Sequence, residues 1–388
     1  MQAVKSLKTL ALLSLLAAFQ ANADGPFYGD PPDANHPWGI HDPNRPQPAR
    51  VEVSDTPGAP PSDAIVLFDG TEKGLANWES DRQHPDPEKF WILNDGTLQC
   101  VPGAGGIRSK QHFGDCQLHV EWTAPFPVKG SSQGRGNSGI FLMGMTEVQV
   151  LDNYNNPTYA DGFAGSIYGV NPPMANSLRP PKQWNTYDII FRRPVHKDGK
   201  EVDPGYMTVF INGVLVQDHT PLEGGGGHHG RSKSKVFPEQ GPLKLQDHGN
   251  NVRYRNIWYR PLPPRAVEGG TNGYLSEEAT MAKRAAIAAE IREDAVKLKG
   301  NAKMLRMMES LYYQKHQKTN DSVLTMVRAY ANAAPKLAAN KGDDAKGEIM
   351  QMHRAVQYLV RHGFWAEGFQ PLAALEAVAI EKERVKKK

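Results

Sequence analysis

The sequence predicts an all-β jelly-roll sandwich followed by a C-terminal α-helical region. Between residues 64 and 264, short runs rich in Val, Ile, Phe, Trp and Tyr alternate with Gly, Pro, Asn and Asp turns. No such run is followed by a helical crossover, so the sheets are expected to be antiparallel. From residue 276 onward the composition becomes rich in Ala, Lys and Glu with helical spacing.

The first 23 residues have the pattern of a secretory signal peptide. Lys5 and Lys8 precede an apolar stretch that ends at Ala21-Asn22-Ala23, a small-x-small cleavage site. The apolar stretch is shorter than the roughly 20 residues that a membrane span needs. We therefore expect an exported protein, periplasmic or secreted. Residues 24–62 follow and are rich in Pro, Asp and Asn, which predicts an extended tether.

Residues 63–264 are predicted to form the sandwich. Strand-like runs such as "CQLHVEW", "EVQVLD", "WNTYDIIFR" and "YMTVFINGVLVQDH" recur at short intervals, and "NDG" and "ING" are hairpin turns because Asn and Gly accept positive φ. About 200 residues with this spacing are typical of one large jelly roll. Residues 265–275 then form a linker.

Residues 276–388 are predicted to be helical. The first helix begins after Ser276, a plausible N-cap followed by two glutamates, and ends at Gly300. Pro335 and Gly342 are expected to separate the later helices. The remaining helices are predicted at 302–317, 321–334, 344–362 and 369–384. This region is expected to dock another protein or to cover a site as a lid.

Charge and cysteine content exclude some classes of protein. The formal charge of +3 falls to about +1 without Lys5 and Lys8, which argues against a nucleic-acid partner. Cys100 and Cys116 are the two cysteines, and their spacing is not that of a metal site. An exported chain permits a disulfide between them, but two buried thiols fit the sequence equally well.

The segment "TEVQVLD" contains the first candidate site. Side chains alternate between the two faces of a strand, so Val148 and Val150 are expected in the core. Glu147 and Gln149 then share the outer face, where a carboxylate and an amide suit the recognition of a hydroxyl-rich molecule. An ordinary polar outer face would give the same pattern.

Other polar residues in the predicted strands extend this candidate. Together with exposed aromatic rings, carboxylates, amides, Arg and His describe a carbohydrate site. We expect these residues to line one groove with Glu147 and Gln149; they are Glu121, Asn137, Asn185, His248 and Arg253.

The strand that carries Glu147 lacks the carboxylate pair of a conventional glycosidase. Jelly-roll glucanases carry their acids on one strand as Glu-x-Asp-x-Glu, whereas position 149 here is Gln and position 151 is Leu. Asp152 has the opposite parity to Glu147, although Glu121 remains a candidate partner. Hydrolysis through an oxocarbenium ion needs two carboxyls about 5–9.5 Å apart.

Several segments together resemble the 3-keto-disaccharide hydrolase domain family. They include "VLFDGTEKGLANW", "GNSGIFL", "EVQVLDNYNNPTYADGFAGSIYGVNPPMANSLRPPKQWNTYDIIFR" and "DHGNNVRYRNIWYRPL". The resemblance runs from about residue 65 to residue 262 and implies a concanavalin-like, glucanase-like jelly roll. It does not include the helical region.

The resemblance implies a chemistry that needs only one base. Members act on glycosides that a separate sugar 3-oxidoreductase has oxidised to a ketone at C3. The ketone acidifies the C2 proton; β-elimination then expels the group at C1, and water adds afterwards. Carried onto this sequence, Glu147 is the candidate base or metal ligand, His248 the acid or base, and Arg253 the group that stabilises the enolate.

The same resemblance suggests substrate-binding residues. Gln149, Asn137, Tyr168 and Asn185 are expected to hold sugar hydroxyls, with Glu121 and Asp152 as further participants. A divalent cation that clamps a keto-hydroxy pair is chemically sensible. Two alternatives stay open: a lectin-like module without catalysis, and a glucanase-like glycosidase on unoxidised glycan.

Overall fold

A computed structural model describes residues 26–83, 86, 88–224, 229–230, 235–270 and 273–386. The predicted signal peptide therefore lies outside the described residues. The chain divides into two compact units. One comprises Ala49–Val267, and the other combines Met1–Pro48 with Glu268–Lys388.

The first unit is a sandwich of antiparallel sheets. Its described strands are β1 (Ile65–Phe68), β2 (Trp78–Ser80), β3 (Ile92–Asn94), β4 (Thr97–Gln99), β5 (Ile107–Phe113), β6 (Cys116–Thr123), β7 (Ser138–Leu142), β8 (Thr146–Val150), β9 (Asn185–Arg192), β10 (Val195–Lys197), β11 (Lys200–Asp203), β12 (Tyr206–Ile211), β13 (Val214–Pro221), β14 (Gly241–Leu245) and β15 (Arg253–Pro261). A short helix, α1 (Glu72–Leu75), follows β1.

Two of the described sheets enclose the core. One has eight strands in the order β13-β12-β9-β6-β15-β4-β3, with β1 paired to β15, and the other has five in the order β2-β5-β14-β7-β8. Strands β10 and β11 form a separate hairpin. The predicted β-sandwich with a helical C-terminal region is confirmed.

The period-2 pattern explains the core. In β9 each alternate side chain is buried, and Tyr187, Ile189 and Phe191 belong to the same apolar core as inward residues of the other sheet. Val148 and Val150 belong to the same core, as their parity predicts. Cys100 and Cys116 are buried free thiols in this core, and burial raises the pKa of both, which keeps them protonated.

The second unit is helical. Its helices are α2 (Glu277–Val296), α3 (Gly300–Tyr313), α4 (Gln317–Arg361) and α5 (Gln370–Lys386). Ser276 caps α2 by accepting a hydrogen bond from the Ala279 amide, as its position predicts.

Helix α4 differs from the prediction because it is continuous through Pro335. Two separate helices were expected, since proline removes one backbone donor. Residues of α4 on both sides of Pro335, such as Ala334 and Ile349, belong to one apolar core. Packing of one long apolar face therefore outweighs the single missing hydrogen bond.

Residues 26–48 are part of the helical unit. Phe27 and Trp38 are buried in its core, where Phe27 contacts Tyr358 edge-on and Trp38 contacts Tyr313 in the same way. The segment predicted as a tether is thus divided, since residues 49–62 belong to the sandwich unit. Among the described residues, no helix is long and apolar enough to cross a membrane.

Candidate functional site

A straight row of side chains crosses the outer face of the five-stranded sheet. Strand register aligns one residue from each strand, and each of these residues has at least one strand neighbour in the apolar core. From β2 to β8 the row consists of Glu79, Arg108, Lys244, Phe141 and Glu147. Directly opposed residues in neighbouring strands have Cβ atoms about 5 Å apart, so this face is one continuous surface.

Glu147 is the carboxylate at the β8 end of this row. Its side chain is only partly exposed, and burial raises the pKa of Glu147 to about 7, although the charge of Lys244 opposes that rise. Lys244 itself forms an ion pair with Asp81. Glu147 therefore combines a high proton affinity with access to solvent.

Two tyrosines border Glu147 beyond the edge of β8. The Tyr168 amide donates to the Glu147 carbonyl at 3.2 Å, and Ile167 beside it packs into the core, so Tyr168 faces outward. The hydroxyls of Tyr168 and Tyr159 are hydrogen-bonded at 2.8 Å. Burial, the Tyr159 contact and the charges of Glu147 and Asp161 raise the pKa of Tyr168, which keeps its hydroxyl protonated.

Gln149 and Asn137 lie on the same face but are buried in an amide network. Gln149 Nε2 donates to Gln133 Oε1 at 3.0 Å, and Asn137 Nδ2 donates to the Gln133 carbonyl at 2.8 Å. Gln149 Oε1 accepts from the Val150 amide. Gln133 covers both side chains. Of these three amide residues, Gln133 is therefore the one that is partly exposed.

The structure places Glu121 on the outer face of the other sheet. Arg255 Nε donates to its Oε2 at 2.6 Å, and Asn256 Nδ2 donates to its Oε1 at 2.9 Å. Burial would raise the pKa of Glu121, but hydrogen bonds from His119, Asn256 and Arg255 lower it to about 2. His119 in turn contacts Asp188 at 2.7 Å and stacks on Trp258. Near neutral pH this carboxylate is therefore ionised, and both of its oxygens accept hydrogen bonds.

Arg253 also belongs to the eight-stranded sheet. Its guanidinium donates to Thr97 Oγ1 at 2.8 Å and to the Asn94 carbonyl at 3.0 Å, which orders the turn between β3 and β4. Glu147 and Arg253 therefore lie on opposite sheets of the sandwich. The expected groove that combines Glu147, Gln149, His248 and Arg253 is not formed, because strand order separates side chains that sequence parity alone treats alike.

Three further predicted residues lie in loops or strand ends. Asn185 Oδ1 accepts from the Arg179 amide and from Asn212 Nδ2, and both contacts are 2.9 Å long. Asp152 accepts from Arg135 Nε at 2.8 Å and from the Tyr154 amide. These contacts order the chain after β8 and before β9. His248 is exposed in the turn after β14.

The sequence reasoning missed Lys244 and Phe141. In "GPLKLQD" Lys244 alternates with buried leucines, which is the same signal that singled out Glu147. Phe141 alternates with Ile140 and Leu142 in an apolar run, so a partly exposed ring is not visible from its pattern. Only strand order and register join these residues into one row.

The residues of this face do not fit a divalent cation site. Glu147 is the one carboxylate at its end of the row, and its immediate neighbours in that row and beyond β8 are an aromatic ring and a tyrosine. Within the described parts of the chain, His, Cys, Asp and Glu side chains do not gather into a group of three that could hold a metal. The side chains of this face can supply proton transfer and fixed charge.

The row also does not supply a pair of carboxyls for conventional glycoside hydrolysis. Glu79 and Glu147 are separated by four strand spacings, roughly 19 Å at about 4.8 Å each. Retaining and inverting glycosidases need separations of about 5–9.5 Å. What the face offers is one base of raised pKa, one neutral hydroxyl and one nearby cation.

A β-sandwich that carries a partly buried carboxylate of raised pKa on the outer face of one sheet is compatible with a carbohydrate-active enzyme. Residues 63–260 match the family described as "3-keto-alpha-glucoside-1,2-lyase-like domain", about half of the chain. The chain belongs to this family, as the resemblance of its motifs indicates.

Two relatives agree with this assignment. A protein named 3-keto-disaccharide hydrolase from Bacteroides thetaiotaomicron is 26% identical over 247 residues, which cover 51% of this chain and 78% of the relative. A crystal structure of a proposed glycosyl hydrolase from Parabacteroides distasonis is 44% identical with a TM-score of 0.52. That match covers 56% of this chain and 93% of the solved chain. Neither name describes the helical unit.

Proposed function

We propose that the sandwich cleaves 3-keto-glycosides by β-elimination followed by hydration, with Glu147 as the base. The observation that carries this proposal is the surroundings of Glu147: this partly buried carboxylate has Phe141 as its cross-strand neighbour and Tyr168 beyond the strand edge. Lys244 lies one strand beyond Phe141, and the other carboxyl of the row, Glu79, is four strands away. That set suits a reaction that begins with removal of one proton.

The reaction balances with water as the sole co-reactant. Glu147 takes the proton from C2, and the electron pair of the C–H bond becomes the C2=C3 bond of an enolate whose charge rests on the C3 oxygen. The enolate then re-forms the C3 carbonyl, a C1=C2 bond forms, and the C1–O bond breaks. The departing alkoxide takes a proton from Tyr168. The hydroxyl of water then adds to C1 while the proton of that water restores Tyr168, and the proton held by Glu147 returns to C2, so the net result is hydrolysis.

The pKa of Glu147 suits this role near neutral pH. A carboxylate with a pKa of about 7 binds a proton more strongly than one near 4.5 and is still about half ionised at pH 7. Removal of a proton beside a ketone benefits from this higher basicity. The same burial that raises the pKa also keeps water from solvating the carboxylate.

Tyr168 is proposed to protonate the departing oxygen. Its hydroxyl is held by Tyr159 and stays neutral, since burial raises its pKa. A neutral hydroxyl can donate to an oxygen that gains charge. The departing alkoxide thus has a donor on the same side of the sheet as the base.

We also propose where the enzyme acts and which class of enzyme makes its substrate. A 3-keto-glycoside must be made by an oxidoreductase that oxidises the C3 hydroxyl. The signal-peptide pattern of residues 1–23 supports export, so we propose that both steps occur outside the cytoplasm.

Two aryl glucosides with the same aglycone would test this function. The full chain is incubated with the 3-keto form and with the unoxidised form, and aglycone release is measured. Release from the keto form alone is expected, and Glu147→Gln should lower it at least about 100-fold because the base is lost.

Each alternative has a distinct result in the same assay. Equal release from the unoxidised glucoside would indicate a glycosidase, for which Asp161, whose charge also acts on Tyr168, is the candidate second carboxyl. Sugar binding without any release, unchanged in Glu147→Gln, would indicate a lectin-like module. Either result would overturn the elimination mechanism.

A further inference from the structure

Phe141 lies at the centre of the active half of the row. It is the direct cross-strand neighbour of Glu147 on one side and of Lys244 on the other. Its ring is partly exposed, whereas Ile140 and Leu142 beside it are buried in the core. Lys244 makes a cation–π contact with this ring, and the part of the ring that stays exposed can stack on an apolar surface such as the C–H face of a pyranose.

Gly139 brings the base to the edge of this ring. A Cβ atom at Gly139 would lie 2.2 Å from Glu147 Oε1 and 2.9 Å from Phe141 Cε2. Both atoms therefore occupy the space above the glycine that any side chain would fill. The carboxylate oxygen and the ring edge are close neighbours, so a sugar stacked on Phe141 would present its rim to Glu147.

Lys244 lies over the same ring. Its Nζ is 5.3 Å from the centre of the Phe141 ring and also forms an ion pair with Asp81. Arg108 is one strand farther away and is engaged by Glu79 at 2.8 Å. Lys244 is thus the cation nearest to a sugar on Phe141.

We propose that Phe141 is the platform for the keto-sugar ring and that Lys244 stabilises the enolate at the C3 oxygen. This inference rests on the proposed function. C2 and C3 are adjacent ring atoms, so a base at the edge of the ring and a cation over the same ring can act on the C2 proton and the C3 oxygen of one sugar. Lys244 donates a hydrogen bond and keeps its protons throughout, while Glu147 alone gains one.

The platform also implies a preference among substrates. Stacking requires a ring face made of C–H groups, which a glucose-like sugar with equatorial substituents presents. A sugar with an axial hydroxyl on that face would lose the contact. Phe141 would therefore select the keto-sugar, whereas Glu147 would remove its proton and Lys244 would stabilise the enolate.

Hydrogen exchange at C2 isolates the enolate step from the elimination. The probe is the 3-keto derivative of 1,5-anhydroglucitol, which has a C2 proton but no leaving group at C1. Exchange in D2O is followed by NMR with the full chain. The wild type should exchange C2 faster than C4, and Lys244→Met should slow this about 100-fold, the effect of losing one oxyanion donor.

Charge-preserving and platform variants separate chemistry from folding. Lys244→Arg should retain exchange within about tenfold, since the positive charge remains. Phe141→Leu should raise KM for the aryl 3-keto-glucoside about tenfold with little change in kcat, because a stacking contact is worth about 0.5–1.5 kcal/mol. Thermal melting of each variant should match the wild type.

The pH dependence of kcat/KM separates an electrostatic role of Lys244 from a purely structural one. Glu147 is faced by Lys244 from β14 and by Tyr168 from the segment beyond β8, and Asp161 acts on Tyr168. Removing the lysine charge should shift the acid limb of kcat/KM to higher pH in Lys244→Met but not in Lys244→Arg.

The outcomes distinguish this inference from the proposed function. If Glu147→Gln abolishes exchange while Lys244→Met exchanges at the wild-type rate, the role of Lys244 is overturned and the base remains. If Phe141→Leu leaves KM unchanged, the platform is overturned. If the wild type neither exchanges the probe nor releases aglycone from a keto-glucoside, the proposed function itself fails.

Discussion

Two glutamates occupy the outer faces of the two sheets and have opposite acid strengths. Glu147 on the five-stranded sheet has a pKa raised to about 7, and Glu121 on the eight-stranded sheet has a pKa lowered to about 2. Both are largely withdrawn from water. The difference lies in their partners: Glu121 accepts hydrogen bonds from Arg255 and Asn256, whereas only a more distant lysine acts on Glu147.

This contrast separates a structural carboxylate from a reactive one. Hydrogen bonds to the charged form hold Glu121 ionised and leave it little affinity for a proton. Burial without such bonds makes Glu147 a good proton acceptor near neutral pH. A polar side chain on an outer face is therefore not sufficient to identify a functional site. What matters is whether hydrogen bonds already stabilise the charge of that side chain.

Replacing each glutamate with glutamine gives the largest expected effects. Glu147→Gln should lower turnover of a 3-keto-glucoside at least about 100-fold with no loss of stability, because a poorly solvated charge is removed. Glu121→Gln should keep turnover but lower the free energy of unfolding by about 2 kcal/mol, since bonds to Arg255 weaken. Urea denaturation and aglycone release measure both, and similar losses of activity in the two variants would refute the comparison.

The two glutamates should also respond to pH in opposite directions. Because its folded pKa is raised to about 7, Glu147 contributes stability below pH 4.5 that is lost as pH rises through about 7. Glu121 contributes stability above pH 4.5 that is lost as pH falls through about 2. Urea denaturation over this range should show the first dependence disappear in Glu147→Gln and the second in Glu121→Gln.

The same ionisation should limit the rate. Below about pH 7 the protonated Glu147 cannot act as a base, so kcat/KM should fall about tenfold per pH unit. A rate that stays constant down to pH 5 would mean that Glu147 is not the base.

A matched pair of glycine substitutions gives the smallest expected effects. Gly139→Ala should displace the Glu147 carboxylate, because the new Cβ would lie 2.2 Å from Oε1, and should lower kcat about tenfold through misplacement. Gly347→Ala, exposed and unobstructed in α4, should raise the unfolding free energy by about 0.5–1 kcal/mol without changing the rate. A Gly139→Ala enzyme with full activity would remove the argument that this glycine positions the base.

Much of the sandwich is predictable because local pattern and tertiary packing agree. Period-2 alternation correctly predicts that Val148 and Val150 point inward and Glu147 outward, because a strand that is buried on one face allows only one register. The helix start after Ser276 was equally readable, because capping is a local property.

The remainder depends on contacts that a linear pattern does not contain. Glu121 and Glu147 look alike along the sequence, and only strand order reveals that they lie on different sheets. Lys244 joins Glu147 through β7, a strand about 100 residues earlier in the chain. Pro335 predicts the end of a helix because the missing backbone donor of a proline is visible in the sequence. The packing of α4 that compensates for this missing donor is not visible there.

The location of Phe27 and Trp38 has a consequence for biosynthesis. These side chains complete an apolar core whose other members come from residues beyond 268, so the ribosome makes the whole sandwich between the two halves of that core. The sandwich can mature co-translationally, whereas the helical unit must wait for the last helices to emerge. A shortened chain that ends near residue 268 would leave both aromatic rings without their native partners, and soluble expression of the sandwich alone should therefore begin at Ala49.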